Sequence, residues 1–389
     1  MRNVFMESGF ASVHKYGEEL CGDRVFTVSD DESSIIVLSD GLGSGVKANI
    51  LATLTAKIIS TMMANGMPVD DCVETIAHTL PVCSVRNVAY STFTILKVDK
   101  TGEAYLVQYD NPRAILLRDG KNYEYDSQQR IICDKKIYES NFKVQTGDMF
   151  ILMSDGAIHA GVGMILNFGW ERENIVEFVE GKFQPDMSAK TMAVEVLQAC
   201  KDLYMDQPGD DTTIAALKIR QRNVVNLMIG PPSHKEDDQK VMQLFFSKEG
   251  KKVVCGGTTS NIVSKYLNKP IRAEINYEDM SIPPIAHIEG VDLVTEGVIT
   301  IGRVLEIAKR YWSVSSSSLS WKNKKDGASL IAEMLFEDAT DINFFVGKAI
   351  NPSHQNPDLP ININIKMQLI EDLEACLKEM GKKVKIYYY

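Results

Sequence analysis

At 389 residues the chain is longer than one ordinary core, so two domains are expected. Its 44% apolar and 24% charged residues give an ordinary globular composition. A formal net charge of −10 argues against a nucleic-acid partner, which wants a basic surface, and suits divalent cations without proving them.

Seven cysteines, at 21, 72, 83, 133, 200, 255 and 376, are scattered without a CxxC pair, so neither a zinc site nor a redox motif is expected. The stretch MRNVFMESGFASVHK lacks an apolar signal core, and no apolar run approaches about 18 residues. The expectation is a cytoplasmic protein with free thiols and no membrane partner.

Residues 1 to about 220 read mainly as short strands. FASVHKYG, DRVFTVS, SSIIVLS, YSTFTILKVD, EAYLVQYD and RAILLRDG are β-branched or aromatic runs separated by Gly, Asp or Asn. The dipeptides TG at 101–102 and DG at 119–120 suit hairpin turns. Two stretches have helical spacing. GVKANILATLTAKIISTMMANG carries Ile50, Leu54, Ile58 and Thr61 at that spacing and ends at Gly66. SAKTMAVEVLQACKDLY carries Met192, Val196, Ala199 and Leu203 on one face. From about 224 the rhythm changes. VVNLMIG, KKVVCGG, DINFFVG and KVKIYYY alternate with helical segments, which predicts an α/β layer domain.

IIVLSDGLGSG, residues 35–45, is an apolar strand ending in Asp40 and followed by glycines. A P-loop requires Ser or Thr after its Lys, and Lys47 is followed by Ala48; a dinucleotide fingerprint requires Gly at 46, where Val46 stands. The aspartate is more informative, because it recurs. DMFILMSDG, residues 148–156, ends the same way at Asp155. Asp210 and Asp211 open a strand in GDDTTIAALKI, and Asp23 precedes one in CGDRVF. One Asp-Gly alone is an ordinary turn. Carboxylates at several strand boundaries of one region, if the fold brings them together, repel unless a cation neutralises them. All-oxygen ligation points to Mg²⁺ or Mn²⁺ rather than zinc.

In order and spacing, CGDR, LSDGLGSGVKA, YDNP, GDMFILMSDG and GDDTTI resemble the PPM-type metal-dependent serine/threonine phosphatases, and DGLGSG resembles their SpoIIE-type bacterial branch. The resemblance covers residues 1 to about 220 of a first domain expected at 1–222; the second, 223–389, resembles no known family. The resemblance implies an α+β fold with a PPM phosphatase-like β-sandwich flanked by helices; the smaller α/β layered domain that follows, read from its own element pattern, is expected to have a regulatory or docking role. It also implies two Mn²⁺ or Mg²⁺ ions. Asp23 would contact one or both, Asp40 would bridge them, and the Gly41 carbonyl would bind the second. Asp155 and Asp210 would complete the first site, and Asp211 would orient Asp210 or cap the turn. Asp23, Asp40, Asp155 and Asp210 would thus carry catalysis, through a water activated between the ions. The implied partner is a phosphoprotein in bacterial signalling, of the anti-sigma-factor-antagonist kind, with a homodimer an open possibility. A scaffold that keeps the fold without catalysis is the alternative.

Lesser candidates complete the reading. His14, His78 and His159 are possible proton donors, each more often structural. Arg24 follows Asp23 on a strand and should face away from it. Asn111 and Pro112 shape a turn. In GGTTSN, residues 256–261, an anion cradle competes with a plain turn capped by Thr259 or Ser260. Glu289 and Glu296 are expected on the surface, and the serine run between Trp312 and Trp321 in a loop.

Overall fold

The structure, a computed structural model, describes residues 4–30, 32–79, 91–274, 284–311, 321–322, 324–349, 355–356, 359–360 and 363–389. The chain divides into two compact units, Met1–Gln221 and Arg222–Tyr389.

In the first unit, strands β1 (Val4–Val13), β2 (Asp23–Ser29) and β3 (Ser33–Asp40) lead into helices α1 (Gly45–Ala64) and α2 (Val69–Thr79). Strands β4 (Thr92–Asp99), β5 (Glu103–Tyr109), β6 (Ile115–Arg118), β7 (Lys121–Asn122), β8 (Gln128–Ile132), β9 (Lys135–Lys143) and β10 (Met149–Met153) follow. Helices α3 (Asp155–Ile158), α4 (Arg172–Lys182) and α5 (Ala189–Leu203) precede β11 (Thr212–Gln221). They form two antiparallel sheets, ordered β1-β11-β10-β6-β7 and β2-β3-β4-β5-β9-β8.

Alternation along the strands builds the layers. Ile36, Leu38, Leu96 and Leu106 of one sheet meet Leu116, Phe150, Leu152 and Leu217 of the other in a buried core. Ile35, Val37, Phe93 and Ile95 face outward onto Ala56, Ile59 and Met63 of α1 and Cys72 and Ile76 of α2. On the opposite side α5 lies so close to β1 that a side chain at Gly9 would meet the Lys190 backbone at 2.4 Å. The unit is a β-sandwich flanked by helices.

Two local expectations change. The stripe at helical spacing in α1 is not its buried face: Ile50 and Leu54 are exposed at 51% and 43%, whereas Ala48, Ala52, Ala56, Ile59 and Met63 are buried. Small residues allow the helix to approach the sheet closely, and the larger side chains are left outside. Strand β1 also begins earlier than FASVHKYG suggests, at Val4, and ends before His14. Its charged Glu7 looks like a strand breaker, but it is buried and accepts the N–H of Ala189, the first residue of α5.

The second unit contains β12 (Val224–Ile229), α6 (Asp238–Ser247), β13 (Lys251–Cys255), α7 (Gly257–Leu267), β14 (Arg272–Ala273), β15 (Ala286–His287) and β16 (Leu293–Thr295). Helices α8 (Val298–Tyr311) and α9 (Gly327–Ala332), strands β17 (Asp341–Val346), β18 (Gln355–Asn356) and β19 (Leu359–Pro360), helix α10 (Ile363–Glu379) and strand β20 (Lys383–Tyr388) complete it. The main sheet runs β14-β15-β16-β13-β12-β17-β20, and β16, β13, β12, β17 and β20 are mutually parallel. Met228, Val254 and Phe345 pack against α6 and α7 on one face. Leu227, Val253 and Phe344 pack against α8, α9 and α10 on the other. This is a doubly wound α/β layer.

Two details correct the reading of this region. The N-cap of α7 is Gly256, at φ +108°, so Thr259 and Ser260 lie inside the first turn and cap nothing. Glu296 is half-buried, not a surface residue, and its Oε2 has no hydrogen-bond partner. Glu289 is exposed and ion-paired to Lys269. The segment from Trp312 through the serine run lies outside the described residues, while Trp321 is buried.

Candidate functional site

Sheet register brings the strand-end aspartates together. In the β2–β3 ladder Asp23 is directly opposite Asp40. In the other sheet Met153 pairs with Ile214, so Ser154 and Asp155 emerge beside the start of β11. Asp155 opens the short helix α3 rather than closing the strand. Ser154 then links the sheets: its N–H donates to the Thr213 carbonyl, its Oγ accepts the Thr213 N–H, and the same Oγ donates to Asp23 Oδ2 at 2.7 Å.

The carboxylates repel across this junction. Burial above all pushes Asp23 up to about 7; hydrogen bonds from Ser154 and Thr213 oppose the rise, and the charges of Asp211 and Asp155 add to it. Burial, then the charges of Asp23 and Asp155, a hydrogen bond to Asp155 and the charge of Asp210 push Asp40 up to about 10. Asp210 is raised by burial and by Asp155, and the positive charge of Lys15 pulls it back. All five aspartates therefore lie within one electrostatic neighbourhood.

Asp211 is 3% exposed. Its Oδ1 accepts the Lys15 N–H at 3.0 Å, and its own N–H donates to Asp210 Oδ1 at 3.0 Å.

Close backbone approach surrounds the cluster. A side chain at Gly41 would meet the Ala48 carbonyl oxygen of α1 at 2.1 Å, and one at Gly156 would meet the Asp211 carbonyl oxygen at 2.1 Å. One at Gly22 would meet Asp211 Oδ2 at 2.7 Å. Gly41 is thus required by its packing on α1, a reason separate from any use of its carbonyl. Gly43 and Gly45, at φ +98° and +70°, turn the chain into that helix.

The donor chemistry fits hard divalent cations. Asp23 Oδ1 and Asp211 Oδ2 are buried without hydrogen-bond partners, which is costly for carboxylates unless a cation meets them. Among the described residues no three His, Cys, Asp or Glu side chains already converge on one ion position.

Of the other candidates, His14 adjoins Lys15, and the His159 N–H donates to the Asp155 carbonyl at 3.1 Å. His14, His78 and His159 are exposed; His14 contacts the Lys15 carbonyl, and His78 lies 3.9 Å from Glu74. Arg24 is exposed while Asp23 beside it is buried, as strand alternation requires. Asn111 hydrogen-bonds Thr92 and Thr94, tying its turn to β4. Sequence reasoning missed Ser154, Thr213 and Lys15. The repeated Ser-Asp-Gly was a signal for Ser154, since Ser39 and Ser154 are both fully buried. Nothing local marks Lys15, whose position depends on the loop preceding β2.

Residues 30–220 match the family model for Stage II sporulation protein E (SpoIIE). No curated protein sequence matches the chain. Among solved structures, the chain is similar to the PP2C phosphatase domain with a regulatory fragment of SpoIIE from Bacillus subtilis. The identity is 18% and the TM-score 0.49, and the match covers 57% of this chain and 64% of that one. RsbX in complex with magnesium is 20% identical at a TM-score of 0.40, over 56% of this chain and 100% of that one. The SiaA-PP2C domain of Pseudomonas aeruginosa is 16% identical at a TM-score of 0.43, over 55% and 85%.

Proposed function

We propose that the N-terminal unit, whose residues 30–220 match the SpoIIE family model, hydrolyses phosphoserine or phosphothreonine on a protein, using two Mn²⁺ or Mg²⁺ ions. The observation that carries this reading is the pair of buried, unpartnered oxygens, Asp23 Oδ1 and Asp211 Oδ2, in a junction of five aspartates. Asp23, Asp40, Asp155 and Asp210 would hold the ions, with the Gly41 carbonyl and Asp211 as further donors. When bound, such ions supply a water acidified toward neutrality and offset charge on the phosphoryl oxygens.

The protein's own contribution is positioning. Ser154 sets the Asp23 carboxylate by donating to it. The Asp211 N–H holds Asp210, and the Lys15 backbone holds Asp211. The Lys15 ammonium, near enough to lower Asp210, would attract the substrate phosphate. Burial at the sheet junction keeps these charges in a low dielectric, where each interaction with developing charge is strengthened.

The finer reading is a bacterial signalling phosphatase whose substrate resembles an anti-sigma-factor antagonist, with the second unit regulating or docking. Among the described residues no helix is long and apolar enough to cross a membrane. The test is hydrolysis of a phosphoserine peptide and an aryl phosphate by the purified full chain with Mn²⁺ or Mg²⁺. Activity abolished by EDTA and restored by metal is expected. Full turnover after exhaustive chelation would overturn the reading, and inertness in both metals would leave the scaffold alternative.

A further inference from the structure

The second unit carries a crevice that the proposed phosphatase chemistry does not use. Strand order reverses direction between β12 and β17: the chain steps outward from β12 to β13 and β16, then returns to β17 and β20. At such a switch point the two loops at the carboxyl ends separate to opposite faces and leave a crevice. Here a cavity of about 830 Å³ lies at that edge, lined by the turn after β12, by Ala349 after β17, and by α6 and α7. The turn at Pro231 that lines it is tightly packed. A side chain at Gly347 would meet the Pro231 carbonyl oxygen at 2.0 Å, and the buried Lys366 of α10 donates to the Gly347 carbonyl.

The lining has a definite chemistry. Lys235 and Lys265 face one carboxylate, Asp238, so the charged residues favour an anion although the whole chain carries −10. Ser233 and Thr258 add hydroxyls. The Tyr266 ring is 40% exposed and stacked on Phe246 at 5.5 Å, a supported flat face at the wall of the cavity. Helix α7 points its N-terminus at this edge, capped by a glycine that has no side chain to satisfy its N–H groups. In the same turn Thr259 is 1% exposed, and its Oγ1 has no hydrogen-bond partner and lies 3.5 Å from where a Gly256 side chain would begin. That hydroxyl lies beside Gly256 and outside the cavity lining, to which the same turn contributes Thr258.

We propose that this crevice binds an organic phosphate of nucleotide size, with its phosphate at Lys235, Lys265 and the first turn of α7 and a flat ring against Tyr266. The volume lies within the range of small-molecule sites. Asp238 supplies an acceptor for a hydroxyl or amino group of the same ligand.

The experiment is isothermal titration of the full-length chain in EDTA, so that the aspartate cluster of the first unit cannot hold a nucleotide through a metal. The probes are the four ribonucleoside monophosphates and triphosphates, with adenosine and inorganic phosphate as comparators. At least one nucleotide is expected to bind with Kd below about 1 mM. The Lys235→Ala/Lys265→Ala variant should weaken it by about tenfold or more, and Tyr266→Ala by a smaller factor. These side chains are exposed, so the variants should melt within a few degrees of the parent. Absence of binding across the panel would overturn the proposal. So would affinity unchanged in the double-lysine variant, or inorganic phosphate binding as tightly as the best nucleotide.

Discussion

Asp23 and Asp40 stand directly opposite each other on neighbouring antiparallel strands, both largely buried and both held well above the usual carboxylate range. Like charges in facing positions destabilise a sheet. The pair persists because Ser154 supports Asp23 and because the site's chemistry, on the reading proposed above, includes cations.

The metal-free chain should therefore lose stability as pH rises. Asp23 titrates in the fold at about 7 and Asp40 at about 10, against an ordinary value of 3.8. Protons held by the fold stabilise it fully below the unfolded value, and that contribution disappears as pH climbs through the folded values. In EDTA the melting temperature should fall between about pH 5 and 8, and saturating Mn²⁺ should flatten the decline. Scanning fluorimetry across pH, with and without metal, measures this; an EDTA curve that rises over that window would contradict the assignment.

Asp40→Asn should separate chemistry from folding. Asn matches the uncharged form that the metal-free fold favours at this position and takes up no proton on folding, so the metal-free melting temperature should stay equal or rise. Phosphatase activity should drop by about two orders of magnitude or more. Near-normal turnover by the variant would remove Asp40 from the metal site.

Ser154→Ala tests the link between the sheets. It strips the donor from Asp23 Oδ2 and the acceptor from the Thr213 N–H, both buried. The cost should be about 1–3 kcal/mol in urea denaturation, with weaker metal binding. An unchanged denaturation midpoint would show that the link is dispensable.

Two glycines two residues apart should respond differently. Gly41→Ala drives a side chain into the Ala48 carbonyl, so the loop must leave α1 and metal affinity should fall about tenfold. Gly43→Ala meets open space and suffers only its left-handed backbone, about 1–2 kcal/mol. Metal titrations of the two variants that coincide would mean that the contact between Gly41 and α1 does not position the site.

Short-range pattern determined much of this protein. Alternating apolar runs marked the strands, the glycines after Asp40 marked the turn into α1, and the recurrence of aspartate at strand boundaries marked the candidate site. These signals depend on neighbours within a few residues, so they survive in a linear text. What tertiary structure decided depends on register and approach across long separations. Lys15 reaches Asp211 across 196 positions and Ser154 reaches Asp23 across 131, and nothing near either residue foretells its partner. The buried face of α1 was misread for a related reason: hydrophobic size suggested Ile50 and Leu54, but close packing on a sheet selects alanines, and only the interhelix-to-sheet distance makes that choice. Thr259 became buried and Glu296 half-buried, each with an oxygen left unpartnered, at the ends of parallel strands whose order no local segment encodes.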